Sequence, residues 1–248
     1  MNRFLWILFL SGVLLSPALA KEDFVPAPTL AILYFDNATG VEHLAWLPKG
    51  FADLLIRDVE KTGRVRTVPR KKVEEGGMTY AGTKSTAFGN RMVATRLGKI
   101  LGATHILTGR FTRRDTDLVI ELKLYETKEG KQIGWRQVDG PSDDLMYLEK
   151  QVGIKIFEMM KIQLADREFI DLLQIPTTSA KALAYYSMGI DAIDHNDRDR
   201  ARAHFKSSID ADRYFKPAAD AISGITFVLS GKAIVRAALE DTAVIGTG

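Results

Sequence analysis

Cysteine is absent from this chain of 248 residues. Its absence excludes thiol catalysis, thiolate zinc sites, iron–sulfur ligation, disulfide frameworks and acylation of an N-terminal cysteine. Apolar residues make up 46% of the chain and charged residues 26%, which excludes collagen-like, disordered and multi-span membrane proteins. What remains is an ordinary folded chain, long enough for one large domain or two modest ones.

Long apolar runs are confined to the N-terminus. Arg3 is followed by an apolar-dominated run over 4–15, then by Pro17 and the small pair Ala18 and Ala20. This order predicts a cleavable secretory signal over residues 1–20, because the run is shorter than the roughly 20 residues that a membrane-spanning helix needs. An uncleaved anchor is the alternative. We therefore expect a periplasmic protein whose mature chain begins at Lys21. It would be either free in the periplasm or peripheral to the outer membrane.

Catalytic and metal-binding motifs are also scarce. The segment 77–85 nearly spells a phosphate-binding loop, but one extra residue separates Gly82 from Lys84 and no strand precedes it, so we interpret it as a polar loop. No serine has the glycine-flanked surroundings of a hydrolase nucleophile. The histidines lack the spacing of a zinc protease, and the acids around one of them are ordinary turn formers. The prediction is therefore a protein that is not an enzyme and needs no cofactor or metal; the four histidines are His43, His105, His195 and His204.

Hydrophobic periodicity predicts an α/β domain over 21–165. The expected order is strand, helix, strand, helix, three strands and a helix, which gives a mixed β-sheet covered by helices. Gly102 is expected to end the second helix in a left-handed conformation. The predicted strands are 30–35, 64–68, 104–111, 118–125 and 132–138, with a turn at 36–40 after the first.

The rest of the chain is predicted to be helical. We expect a linker at 166–178 and a small all-α region over 179–248, in which helices at 180–194 and 198–212 form a hairpin. Two further helices are expected, from about Pro217 to Leu229 and from Lys232 to Glu240.

The hairpin resembles a tetratricopeptide repeat. Tyr185, Met188 and Gly189 occupy the aromatic, large and small positions of its first helix, and Ala201 and Phe205 occupy the small and aromatic positions of its second. The sequence departs from the repeat pattern at Ala192, late in the first helix, where the family often has an aromatic residue. It departs again at Arg213, after the second helix, where the family often has a proline. Residues 216–240 leave open whether a degenerate second repeat follows. The resemblance implies a helical surface for a protein partner.

The first domain resembles a periplasmic family that includes CsgG-type curli-secretion proteins, FlgO-type flagellar accessory proteins and TolB-like N-terminal domains. The resemblance covers about 29–164 and rests on three segments in the family's order: 30–40 with its turn residues Asp36, Asn37, Thr39 and Gly40, then 97–109, then 124–130. It implies an interaction or assembly role at the cell envelope, with no catalytic residues to carry over. The long hairpins of pore-forming relatives have no counterpart here, so we do not expect a pore.

Positive charge is concentrated in the middle of the chain, where residues 61–114 have a net charge of +11. If the basic residues of this stretch lie on one face of the protein, they would bind an anionic lipid, lipopolysaccharide or an acidic protein surface. The alternative is that they pair with the acidic segments on either side. Nucleic acid is not an expected partner of an exported protein. The residues of this predicted surface are Arg64, Arg66, Arg70, Lys71, Lys72, Arg110, Arg113 and Arg114.

Together these features predict an exported, non-enzymatic scaffold or accessory protein of an envelope machine. It would act through an envelope protein partner, bound by the helical hairpin, and through homo-oligomerisation of the sheet domain. The alternative is a periplasmic binding module for a small or anionic ligand, whose pocket would be lined by the strand ends and the 36–40 turn.

Overall fold

A computed structural model describes residues 27–81 and 90–225. The predicted signal at 1–20, the 82–85 part of the predicted polar loop and the helical prediction beyond residue 225 lie outside these residues. Residues 216–225 are helical, in agreement with the start of the third predicted C-terminal helix. The described helices are Leu47–Lys61 (α1), Arg70–Ala81 (α2), Arg91–Ile100 (α3), Leu145–Met160 (α4), Asp166–Leu172 (α5), Ala180–Asp194 (α6) and Arg198–Ala211 (α7), with a short 3-10 turn at Glu42–Leu44.

The sheet is mixed and has six described strands in the order β3-β1-β4-β5-β6, with β2 paired to β4. The pairs among β1, β2, β3 and β4 are parallel, and β4, β5 and β6 form an antiparallel meander. The predicted mixed sheet covered by helices is therefore confirmed. The strands are Thr29–Ile32 (β1), Asp36–Asn37 (β2), Arg66–Thr67 (β3), His105–Arg114 (β4), Asp117–Glu126 (β5) and Lys131–Pro141 (β6).

Side chains alternate between two apolar layers, as the pleat of a strand requires. On β1, Leu30 and Ile32 pack with α1 and α4 in the larger core, while Ala31, and Leu33 directly after the strand, pack with α2 and α3 in the smaller one. The sheet therefore separates two helical layers, α1 and α4 on one face and α2 and α3 on the other.

Several predicted boundaries are wrong for a common reason. The first predicted strand ends early, at Ile32, and Asp36 and Asn37 of the predicted turn instead pair in parallel with Arg110 and Phe111 of β4. The predicted loop that begins at Gly77 is helical as far as Ala81. Pairing partners and tertiary contacts decide these ends, and neither can be read from local periodicity.

The segment predicted as a linker contains α5. Its Leu172 is fully buried in the larger core, where the side chain lies against Gly153 of α4. The aromatic side chains of the helical hairpin join the same core. Within the described residues, the sheet and the hairpin therefore share one apolar interior.

Residues with positive φ follow several of the described helices. Gly102 has φ +66° directly after α3, which confirms the predicted left-handed end, and Lys161 adopts φ +57° at the C-terminus of α4. Among the described residues, no helix combines the length and the apolar character needed to cross a membrane.

Candidate interaction surfaces

The predicted basic residues do not lie together. Strand β3 places Arg66 opposite Thr29, next to the start of β4 at His105, whereas Arg113 and Arg114 end β4. Eight residues of extended chain separate His105 from Arg113, roughly 26 Å along the strand. The eight residues therefore do not form a single anionic-partner face.

Five of these eight residues lie within 4.0 Å of an acidic group. The Arg70 side chain is only 10% exposed and is paired with Asp194, so it contributes little to the outer surface. Arg110 Nε donates to Asp36 at 2.9 Å and Arg114 donates to Asp139 at 2.8 Å. Arg64 lies 3.9 Å from Glu168. This geometry matches the alternative of pairing with neighbouring acidic segments. Lys71 is exposed and lies 3.8 Å from Glu75, and Arg66, Lys72 and Arg113 are exposed as well.

The 36–40 segment consists of β2 and the hydrogen-bonded loop that follows it. Asn37 Oδ1 accepts hydrogen bonds from the backbone N–H and the hydroxyl of Thr39, and Gly40 has φ +70°. The Asn37 amide donates to the carbonyl of Leu44 at 3.0 Å. Asp36 pairs with Arg110. These contacts fix the loop locally, which explains the polar and glycine residues without a ligand.

The hairpin forms between the predicted helices. Gly189 allows close approach, because a Cβ there would lie 2.5 Å from the ring of Phe205, and Ala201 and Phe205 are buried as predicted. Tyr185 is half-buried, and its ring stacks with that of His204 on α7 at 6.4 Å between centroids, whereas Met188 is exposed and its predicted packing is not observed. Tyr186, one position later, is fully buried between Phe205 and Phe215, because α6 turns this side toward the sheet domain.

A buried polar network joins the hairpin to α1 and α2, and the sequence analysis missed it. Arg70 donates to Asp194 at 2.5 Å and to the Tyr34 hydroxyl at 2.8 Å, and Tyr186 donates to Asp53 at 2.5 Å. Burial raises the pKa of both tyrosines, so each hydroxyl stays protonated and able to donate. Every charged group named here has a partner of opposite charge.

The same network includes a polar row on α1. Lys49, Asp53 and Arg57 recur every four residues on that helix. Lys49 Nζ lies 2.7 Å from Asp191 and 2.9 Å from Asp194 of α6. The sequence signal for this contact was the spacing of Asp191 and Asp194, which places two acids on one side of α6. Only the fold shows that these acids lie beside the polar row of α1.

A cleft of about 460 Å³ lies beside this network, between α1, α2 and the hairpin. Ile190, Ile193 and Phe205 supply its apolar lining, and Arg57, Lys71 and Arg198 are among its charged residues. The 36–40 turn does not line it. Acidic lining residues, including Glu74 and Asp194, balance the basic ones.

Exposed apolar residues concentrate on α5 and the residues after it. Phe169, Ile170, Leu173 and Ile175 are all exposed, and Ile170 has 62% of its surface accessible. Phe169 also lines a groove of about 390 Å³ with apolar residues at the end of α4 and in the segment that follows it. Contiguous apolar surface of this kind is typical of a protein-binding region.

A second buried charge cluster lies where α1 meets α4. Lys150 pairs with Asp58, and its Nζ lies 2.8 Å from Glu149 Oε2. Neither carboxylate oxygen of Glu149 receives a hydrogen bond of acceptable geometry. Burial, followed by the nearby negative charge of Asp58, raises the pKa of Glu149 to about 8. Asp58 also pairs with the half-exposed Lys61 at 2.8 Å, so the cluster has two buried carboxyl groups, one buried ammonium group and one ammonium group at the surface.

Within residues 27–81 and 90–225, no three histidine or acidic side chains lie close enough together to hold a metal ion. No protein-family model matches the sequence, and no curated protein matches it.

Solved structures of low sequence identity are similar to part of the chain. TolB from Acinetobacter baumannii matches 57% of this chain and 30% of its own, with 13% identity and a TM-score of 0.41. The LpoB C-terminal domain from Salmonella enterica matches 49% and 87%, with 11% identity and a TM-score of 0.38. Lipoprotein GNA1162 from Neisseria meningitidis matches 54% and 97%, with 17% identity and a TM-score of 0.40.

The match to TolB thus spans less than a third of that protein. TolB-like domains belong to the family that the first domain resembles in sequence. Similarity of this size assigns no function. The CsgG-type, FlgO-type and tetratricopeptide resemblances stay predictions.

Proposed function

We propose that this protein is an exported, non-enzymatic accessory protein of the cell envelope that acts through protein–protein contacts. The N-terminal pattern over 1–20 supports export to the periplasm. The observation that carries the proposal is the exposed apolar cluster Phe169, Ile170, Leu173 and Ile175. Neighbouring exposed apolar residues are typical of a surface that a partner covers, and covering apolar surface is favourable by roughly 25 cal/mol per Å².

The hairpin supplies a second contact surface in this proposal. Its buried side is fixed to α1 by Tyr186 and by the ion pairs of Asp194, so its orientation relative to the sheet is set. Met188 lies on the opposite side and is exposed. A rigidly held helix presenting a large apolar side chain loses little conformational entropy when a partner covers it. The tetratricopeptide resemblance supports a protein, as opposed to a small molecule, in that role.

Site-specific cross-linking in cells tests this proposal. A photo-reactive amino acid is placed at Met188 or Ile170, and cross-linked products are identified from the envelope fraction. We expect processing of the N-terminus and a discrete envelope protein linked at each position.

The matched control position is Lys206, which is exposed on α7 but outside the apolar cluster and on the hairpin's other helix. It should give little product. Retention of the unprocessed chain in the cytoplasm, or equal labelling at Lys206, Met188 and Ile170, would contradict the proposal.

The cleft beside the polar network favours a second candidate, a periplasmic binding module for a small anionic ligand. Its apolar lining and the guanidinium groups of Arg57 and Arg198 suit a ligand with one apolar and one acidic part. A thermal-shift screen of small carboxylates and phosphates tests it. A ligand whose stabilising effect disappears in Arg198→Gln would support this candidate, and the absence of any stabilising ligand would remove it.

A further inference from the structure

The exposed apolar surface of α5 is flanked by acids. Helix α5 has the sequence Asp-Arg-Glu-Phe-Ile-Asp-Leu, with three acidic residues and one basic residue. Phe169 and Leu173 are one helical turn apart on its surface, and Ile170 lies beside them. A surface that fits this helix needs apolar side chains surrounded by positive charge.

Helix α3 of the same protein has that character. Met92 and Ile100 are exposed, with 77% and 55% of their surfaces accessible. Met92 lies on the side of the helix opposite the buried Ala94 and Leu97, and Ile100 lies at the edge of the exposed side, about 60° from Leu97 around the helix axis. The helix contains Arg91, Arg96 and Lys99 and no acidic residue. Its exposed side is therefore apolar and positively charged.

The two helices cannot meet within one molecule. Helix α3 packs on the sheet face that carries Ile106 and Tyr125. Helix α5 contacts α1 and α4, which cover the other face of the sheet. A contact between α3 and α5 therefore joins two copies, and it joins two different surfaces.

We propose that α5 of one copy binds α3 of a second copy, so that the protein assembles head to tail. The exposed methionine and isoleucine of α3 would cover the apolar residues of α5, and the basic residues around them would face Asp166 and Asp171. This inference rests on the proposed function, which it deepens by naming one partner and both surfaces. A head-to-tail contact leaves one unpaired surface at each end, so copies add until a ring closes or a filament forms.

The contact is expected to be weak. Helix α3 has ten residues and α5 has seven, so the helices are only about 15 Å and 10 Å long. Two elements of this size bury less than the roughly 1,200 Å² of a stable standard interface, unless neighbouring segments add to it. Assembly should therefore depend on concentration, and rising salt should weaken its charged part.

Sedimentation of two complementary variants of the purified protein tests the proposal. Ile170→Asp removes the α5 surface, and Met92→Asp removes the α3 surface. We expect the wild type to exceed the mass of one chain, 27.6 kDa before processing, as its concentration rises. Each variant alone should stay monomeric. Their equimolar mixture should form a pair of twice the monomer mass and no larger species, since each pair retains one intact contact.

Tyr214→Asp is the control, because Tyr214 is 75% exposed but belongs to neither helix. It should assemble like the wild type, and circular dichroism should confirm that all variants remain folded. A wild type that is monomeric at every concentration, or a mixture that stays monomeric while the wild type assembles, would overturn the proposal. So would assembly of Met92→Asp alone, which would indicate that α5 pairs with itself. A monomeric protein that still cross-links to an envelope protein would refute this inference alone.

Discussion

Helix α1 contacts buried charges on two sides, and the two sides differ in how well those charges are matched. Toward α6, Arg70 and Lys49 meet acids that they contact directly. Toward α4, the buried carboxyl groups of Asp58 and Glu149 share the one buried ammonium group of Lys150, and only Asp58 has a second partner, the half-exposed Lys61. The comparison indicates that a buried cluster can fix the position of neighbouring elements when its charges balance, and makes stability depend on pH when they do not.

Removal of Arg70 is the largest expected perturbation of the balanced side. Arg70→Gln leaves Asp194 buried with only part of its partners and deprives Tyr34 of a hydrogen-bond donor. We expect the free energy of unfolding to fall by about 3–5 kcal/mol, measured by urea denaturation. Lys71→Gln is the matched control, because that side chain is 80% exposed and its loss should change stability by about 0.5 kcal/mol or less. A loss below about 1 kcal/mol in Arg70→Gln would mean that the network does not hold the hairpin in place.

A steric change tests the same contact without altering its charge. A Cβ at Gly50 of α1 would overlap the buried side chain of Ser187 on α6. We expect Gly50→Ala to lower the free energy of unfolding by about 1–3 kcal/mol, because the two helices must separate. Adding Ser187→Ala removes the overlapping hydroxyl, which has no hydrogen-bond partner, and should recover part of that loss in the same denaturation assay. No loss in Gly50→Ala would contradict close packing of α1 on α6.

The unbalanced side gives an opposite expectation. Folded Glu149 keeps its proton up to about pH 8, whereas the unfolded residue releases it near its ordinary pKa of 4.5. The folded chain therefore binds more protons between these values, and the contribution of Glu149 to stability falls as pH rises from about 4.5 to about 8. Glu149→Gln should remove this dependence and raise the free energy of unfolding at pH 8 by about 1 kcal/mol.

Glu158→Gln on the same helix is the control, because its side chain is substantially exposed. Urea unfolding of the wild type, Glu149→Gln and Glu158→Gln at pH 5 and pH 8 measures how the stability of each protein depends on pH. Destabilisation of Glu149→Gln at pH 8 would indicate that the carboxylate is charged and well paired there.

An exposed ion pair should matter least. Arg114 and Asp139 lie 2.8 Å apart near the end of the β4–β5 hairpin, and both are well exposed. Arg114→Gln should change the free energy of unfolding by about 1 kcal/mol or less, and less still at high salt. A loss as large as that of Arg70→Gln would mean that this exposed ion pair contributes as much to the free energy of unfolding as the buried one.

The sequence predicted the fold where periodicity was strong and local. The meander, α1, the left-handed end of α3 and the hairpin all follow from spacing and glycine placement. The predictions were wrong where distant partners decide the structure: Asp36 joins a strand because β4 lies beside it, and Arg70 is buried because Asp194 covers it. The exposed cluster on α5 was also missed, since the polar and proline-containing segment was interpreted as a linker.

Cross-linking between differently tagged copies in one cell tests the central claim of assembly through matched surfaces most directly. A photo-reactive amino acid at Ile170 of one copy should link to the second copy, and mass spectrometry should place the link on α3, near Met92. A link from Ile170 only to the same region of the second copy, or no link between copies at all, would contradict head-to-tail assembly.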